Sequence, residues 1–165
     1  MIVYLVGMPG AGKTVVGREL AGRLGVPFID LDTEIEREQG RPITEIFEAE
    51  GEAAFRALEA AALVKAGADD PAVVSCGGGV VLEPANRIAL RNTGTVVYLD
   101  VALDVLRERV RPANDRPLIR EEGDLERLLA ERGPLYREFA GHVVDGSGSP
   151  SAVADAIVEE LRWSV

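Results

Sequence analysis

Five apolar residues in succession, Ile2-Val3-Tyr4-Leu5-Val6, carry no polar alternation. Such a run predicts a strand buried on both faces, as in a parallel sheet. After a glycine-rich stretch the period changes. Val16, Leu20 and Leu24 recur every four residues and predict a helix over 15–24, with Gly25 as its stop. Pro27 to Asp30 reads as a short second strand, with Leu31-Asp32 behind it. From Thr33 to about Gly67 the pattern is helical and broken at Gly40, Pro42 and Gly51. Ile43, Ile46 and Phe47 supply one apolar face there, and Phe55, Leu58 and Ala62 another. Val73 to Ser75 is a third strand ending in Cys76-Gly77-Gly78-Gly79, followed by a helix over Pro84–Arg91. Thr95 to Leu99 is a fourth strand ending at Asp100, and Ala102–Val110 is helical. Two prolines and alternating charges make 111–120 a loop. A helix is expected from Asp124 to about Arg132, then a second short one through Pro134 to Phe139. His142–Asp145 is a fifth strand, and a Gly/Ser turn at 146–150 leads to a last helix over Ser151–Trp163.

Strands alternating this closely with helices predict an α/β fold, a parallel sheet with helices on both faces. The helical stretch 33–67 is too long for a minimal crossover and reads as an insertion on the substrate side. At 165 residues the chain is expected to form one domain. A net charge of −10 argues against nonspecific binding to nucleic acid or to an acidic membrane surface. No apolar run reaches membrane-spanning length, and the first stops after five residues, too short for a signal peptide. Cys76 is the only cysteine, so no internal disulfide can form, which fits a cytoplasmic location.

The chemistry centres on Gly7-Met8-Pro9-Gly10-Ala11-Gly12-Lys13-Thr14. It sits between a strand and a helix and matches the phosphate-binding pattern G-x-x-x-x-G-K-[ST]. Backbone N–H groups of such a loop cradle phosphate oxygens, the lysine reaches the outer phosphates, and the hydroxyl can ligate Mg²⁺. Ligands in such sheets sit at the carboxyl ends of strands. Asp30, Asp32, Gly77–Gly79 and Asp100 lie there. The run Val96-Val97-Tyr98-Leu99-Asp100 slightly favours Asp100 over Asp30 as the acidic partner of Mg²⁺, though Asp100 could equally cap the next helix. Asp32 could receive or orient a hydroxyl proton, or simply cap the helix after it. The glycine triplet suits backbone approaching a ligand, or a tight turn. Arg56 can pair with Glu52 or Glu59 at helical spacing. Arg116 lies in the 111–120 loop, where a cation could close over phosphate, and Arg132 precedes Gly133-Pro134. His142 has no partner pattern, and no Cys/His metal cluster exists in the sequence.

Taken together, these segments resemble the shikimate kinase family. The resemblance runs nearly end to end, through Gly7–Thr14, Asp30-Leu31-Asp32, Ile46-Phe47 to Phe55-Arg56, Gly77-Gly78-Gly79, Arg116-Pro117-Leu118 and Arg132-Gly133-Pro134-Leu135-Tyr136. It implies a three-layer P-loop kinase fold of the nucleoside-monophosphate-kinase-like branch, with a five-stranded parallel sheet in order 2-3-1-4-5. It also implies a helical substrate-binding insertion over about 32–67 and a mobile lid over about 111–122. The activity implied is ATP-dependent phosphorylation of the 3-hydroxyl of shikimate, in chorismate and aromatic amino acid biosynthesis. By the same resemblance, Asp30 acts on Mg²⁺ through water beside Thr14, which demotes Asp100. Asp32 is the base, and Lys13 and Arg116 stabilise the transferring phosphoryl group. ATP is held by Gly10, Ala11, Gly12, Lys13, Thr14 and Val15, with Arg109 and Pro150 flanking the adenine. Shikimate is held by Asp32, Arg56, Gly78, Gly79 and Arg132, with Phe47, Phe55 and Glu59 lining or bracing its pocket. The turn 146–149 carries only Gly and Ser where relatives often place basic residues. A monomer is expected, with ATP and shikimate as partners. A gluconate-type or nucleoside-monophosphate kinase shares the loop and sheet, but Asp30/Asp32 and Gly77–Gly79 argue against both. A silent nucleotide-binding switch would lack the base and the substrate arginines.

Overall fold

The computed structural model describes residues 1–110 and 117–162. Its centre is β1 (Ile2–Val6), whose five residues are all buried, as an unbroken apolar run requires. β1 is flanked in parallel by β3 (Ala72–Ser75) and β4 (Thr95–Asp100), with Tyr4 opposite both Val74 and Val96. β2 (Phe28–Asp30) and β5 (His142–Asp145) form the edges, so the order is β2-β3-β1-β4-β5, all parallel. The expected sheet order is therefore the observed one.

Eight α-helices accompany the sheet among the described residues. α1 (Lys13–Leu24) packs against α8 (Pro150–Arg162), and Gly25 ends α1 in the left-handed conformation with its N–H on Ala21. The region after β2 contains α2 (Leu31–Gln39), α3 (Ile43–Glu50) and α4 (Glu52–Ala66). Its breaks fall at Gly40, Pro42 and Gly51, as the sequence indicated. α5 (Pro84–Thr93), α6 (Leu103–Arg109) and α7 (Asp124–Phe139) complete the set.

Two expectations need correction. Residues 124–139 form one helix, not two: Pro134 lies inside α7. A helix-interior proline removes one backbone bond. Here Leu128, Arg132, Tyr136 and Phe139 are all buried along the helix, on both sides of the proline, and that packing carries it through. A single 3₁₀ turn, Val80–Leu82, also follows the glycine triplet where no element was expected. The last helix is described to Arg162, so the expected end at Trp163 falls outside the described residues. No helix among the described residues is long and apolar enough to cross a membrane.

Candidate active site

The loop between β1 and α1 is a tight turn in which Ala11 N donates to Met8 O at 3.0 Å. Gly10 has φ +84°, and a Cβ there would stand 2.3 Å from Val110 Cγ2, so both backbone and space demand glycine. α1 begins at Lys13, and the N–H groups of its first turn have no intrahelical acceptor. They form an electropositive cup facing the mouth of the loop. Lys13 Nζ lies across the loop and donates to Gly7 O at 2.7 Å and Met8 O at 2.9 Å.

Thr14 Oγ1 donates to Asp30 Oδ2 at 2.8 Å. Asp30 Oδ1 accepts from Thr33 N at 3.2 Å, so Asp30 is the N-cap of α2. Capping is thus assigned to Asp30, and Asp32 falls inside the first turn of α2. Asp100, the rival acid in the sequence pattern, is engaged by Tyr98 Oη and Arg137 at the end of β4. It does not cap the following helix either; Ala102 stands at that position.

Asp32 faces the other half of the cleft. Burial, then the nearby charges of Asp30 and Glu59, push its carboxyl up to about 6, against the pull of Lys13. Glu59, on α4, is fully buried. Burial raises its pKa too, while Arg56 and Arg132 lower it. Arg56 Nη1 donates to Glu59 Oε1 at 3.0 Å and Nη2 to Glu52 Oε1 at 3.3 Å, so both pairings open in the sequence occur together. Arg132 is 3% exposed in mid-helix, so it does not serve as a charge at a helix end.

The glycine triplet lies against all four of these side chains. A Cβ on Gly77 would stand 2.7 Å from Glu59 Oε2 and 3.1 Å from Asp32 Oδ1. One on Gly78 would stand 3.2 Å from Arg132 Nη1, and one on Gly79 only 2.3 Å from Arg56 Nη1. Asp32 Oδ1, Glu59 Oε2, Arg56 Nε and Arg132 Nε are buried and have no hydrogen-bond partner among the described residues. Two carboxylates and two guanidiniums with unused hydrogen-bonding capacity thus surround one stretch of bare backbone. Buried groups of this kind call for a polar ligand.

Both halves open into one cleft of about 530 Å³. Its lining includes apolar residues, Pro42, Ile43, Phe47 and Phe55, with Pro117, Leu118 and Ile119 from beyond α6. It also includes the polar Lys13, Thr14, Asp30, Asp32, Arg56 and Arg132. A phosphate cup, a partly protonatable carboxylate and two cations therefore face one space of small-molecule size.

Comparison with known proteins agrees with this geometry. A family model described as shikimate kinase matches residues 9–162. The chain belongs to the shikimate kinase family. The shikimate kinase of Dechloromonas aromatica is 51% identical over 162 residues, covering 96% of this chain and 87% of its own. That of Aromatoleum aromaticum is 46% identical over 166 residues, covering 98% and 95%. The solved shikimate kinase of Acinetobacter baumannii, in complex with shikimate, superposes with a TM-score of 0.95 at 39% identity. That superposition covers 99% of this chain and 93% of the other. The family is one of ATP-dependent kinases, and the chain shares its P-loop fold and enzyme class.

Most of the family-implied residues meet in the cleft. Gly10, Gly12, Lys13, Thr14, Val15, Asp30, Asp32, Arg56, Gly78, Gly79 and Arg132 all line it. Ala11 is buried behind the loop. Arg109 and Pro150 are not among its walls. Arg109 instead ties the loop to the 146–149 turn, with Nη1 on Gly10 O at 3.3 Å and Nη2 on Gly146 O at 3.1 Å and Ser147 O at 3.0 Å. Arg116, with the rest of 111–116, lies outside the described residues. Leu118 and Ile119, both within the expected lid, also line the cleft, a contact that the apolar pair in this loop makes readable from the sequence.

Proposed function

We propose that Lys13, Asp32, Arg56 and Arg132 carry out the family's reaction in this chain, transfer of the γ-phosphoryl group of ATP to the 3-hydroxyl of shikimate. The observation that carries this reading is the meeting of phosphate loop, Asp32 and the Arg56/Arg132 pair in one cleft. In our reading the insertion over about 32–67 holds shikimate, and the segment 111–122 is the lid. Pro117, Leu118 and Ile119 of that segment line the cleft.

Arg56 and Arg132 would grip the shikimate carboxylate, for which two planar guanidiniums supply directional donors. Gly78 and Gly79 present backbone beside those arginines, where an added Cβ would press on a guanidinium. Asp32 then lies near the reacting hydroxyl. With its pKa near 6, it is ionised at neutral pH yet basic enough to accept a proton. The hydroxyl oxygen forms a bond to the γ-phosphorus as the bond from phosphorus to the bridging oxygen breaks. The proton passes to Asp32, and ADP departs. The backbone cup, Lys13 and, in our reading, Arg116 stabilise the charge on the phosphoryl oxygens. Covering the cleft excludes water, which would otherwise accept the phosphoryl group.

Thr14 and Asp30 fit Mg²⁺. They form a pair of hard oxygen donors 2.8 Å apart beside the phosphate cup. Mg²⁺ commonly uses one or two protein oxygens and takes the rest of its shell from phosphates and water. When bound it would neutralise phosphate charge.

The reading is tested by ADP release with shikimate, gluconate and nucleoside monophosphates as competing acceptors. Turnover is expected with shikimate alone. No shikimate-dependent release would overturn the reading. Arg132→Ala is expected to raise KM for shikimate far more than KM for ATP, and equal losses would remove that assignment.

A further inference from the structure

The three glycine carbonyls of the substrate loop are each committed. Gly77 O accepts from Val80 N at 3.1 Å, and Gly79 O accepts from Leu82 N at 3.1 Å. Both bonds belong to the turn itself. Gly78 O is different: it accepts from the hydroxyl of Tyr136, 58 residues away on α7. Tyr136 is fully buried, and its ring stacks on Tyr98 of β4, with centroids 5.0 Å apart and planes at 26°. The Tyr98 hydroxyl is spent on Asp100, away from Gly78, and Arg137 lies over the Tyr98 ring. The phenol is therefore held rigidly before it touches the loop.

Tyr136 also meets the substrate half of the site through its own helix. It lies four residues after Arg132, on the same face of α7. Burial raises the pKa of the phenol, and the charge and hydrogen bonding of Arg132 work against that rise. The hydroxyl thus stays protonated at neutral pH and remains a donor to Gly78 O. A Cβ on Gly78 would stand 3.2 Å from Arg132 Nη1 and 3.1 Å from Pro9 Cδ of the phosphate loop, so both border this residue.

A peptide unit is planar and trans, so its carbonyl and the next N–H point in opposite directions. Anchoring Gly78 O on one side therefore fixes where Gly79 N–H points on the other. We propose that Tyr136 is a positioning residue for the acceptor substrate. Its hydroxyl orients the Gly78–Gly79 peptide and steadies the neighbouring Arg132, so that backbone donor and guanidinium meet the substrate carboxylate at a set spacing. This rests on the reading that Arg132 and the glycine loop hold shikimate.

The test is Tyr136→Phe, which keeps the ring and its stack on Tyr98 and removes only the hydroxyl. Tyr98→Phe is the control, because it loses a bond to Asp100 and leaves Gly78 O untouched. KM for shikimate is expected to rise about tenfold in Tyr136→Phe, the size of one hydrogen bond near a charged group. KM for ATP should stay within about twofold, and Tyr98→Phe should leave both constants near wild type. A structural role alone would lower the thermal midpoint and the active fraction while leaving both KM values unchanged. That outcome, a parallel rise in both KM values, or failure of Tyr136→Phe to fold overturns the proposal. If the wild-type chain shows no shikimate-dependent turnover, the underlying reading fails and the proposal falls with it. If the wild type is active and the variant keeps its KM, the proposal alone fails.

Discussion

Arg56 Nη1 donates to Glu59 Oε1 at 3.0 Å, across one turn of α4. Glu59 is fully buried, and its second oxygen lies beside Gly77 without a partner among the described residues. The carboxylate lines the cleft beside Arg56 and holds its guanidinium there. Glu59→Ala leaves Arg56 with Glu52, whose side chain is about half exposed, as its remaining carboxylate. KM for shikimate should rise about tenfold and thermal stability should fall, since breaking a buried pair costs about 3–5 kcal/mol and Arg56 keeps some solvent access. Steady-state kinetics and a melting curve check both. A lower melting point with an unchanged KM would reduce Glu59 to a residue of the fold.

Asp32 links activity and stability to pH in opposite directions. Its carboxyl, pushed up to about 6, must be ionised to accept a proton, so kcat/KM should fall below about pH 6 with the slope of a single group. Between about pH 4 and pH 6 the folded state keeps a proton that the unfolded state has lost, so this group's contribution to stability falls as pH rises through that window. Asp32→Asn should therefore lose about 10²–10⁴ in kcat. At pH 7 it should be more stable than the wild type, by up to roughly 3 kcal/mol, with the gain gone by about pH 4. Urea melts of both proteins at the two pH values check the sign, and a variant less stable at pH 7 would refute it.

Asp30 divides its oxygens between Thr14 and the N-terminus of α2. Asparagine caps a helix about as well as aspartate, so Asp30→Asn should fold with little loss. It should raise the Mg²⁺ concentration needed for half-maximal rate, by about tenfold if one charge-assisted contact is lost. A Mg²⁺ titration at saturating ATP is the measurement, and an unchanged requirement would remove Asp30 from the metal site.

A methyl group at Gly79 would arrive 2.3 Å from Arg56 Nη1. The guanidinium is the end of a flexible side chain, so it can move aside and the fold should survive. Gly79→Ala is thus expected to melt close to wild type, to raise KM for shikimate several-fold and to leave KM for ATP alone. Equal effects on both substrates would mean that the loop, and not the arginine, had shifted.

Local pattern was enough for the five strands and for the phosphate-binding loop, while the strand order and the choice of Asp30 over Asp100 came from the family resemblance. Ile2–Val6 could only be a doubly buried strand, and the glycines, lysine and threonine after it are neighbours in the chain as well as in space. The sequence pattern divides α7 because Gly133-Pro134 is a local stop signal. The signal was overruled by burial of Leu128, Arg132, Tyr136 and Phe139, which no short window can weigh. Asp32 was open between base and cap for a similar reason. A shift of two residues in the start of α2 decides which carboxylate caps, and helix starts are the part of a pattern that varies most.

By itself the sequence determined the α/β class, a phosphate-binding loop between strand and helix, and the residue types from which an acceptor site could be built. Which of those residues meet was decided only by tertiary structure. Arg56 and Arg132 stand 76 positions apart on different helices, and they converge because α4 and α7 both pack against the turn that follows the glycine triplet. Asp100 looked like the metal's acid in the strand pattern, yet the fold commits it to Tyr98 and Arg137. Burial, the pKa of Asp32 and the unpartnered atoms around Gly77–Gly79 depend on distances between segments far apart in the chain. Those distances arise from packing, which depends on the whole chain at once.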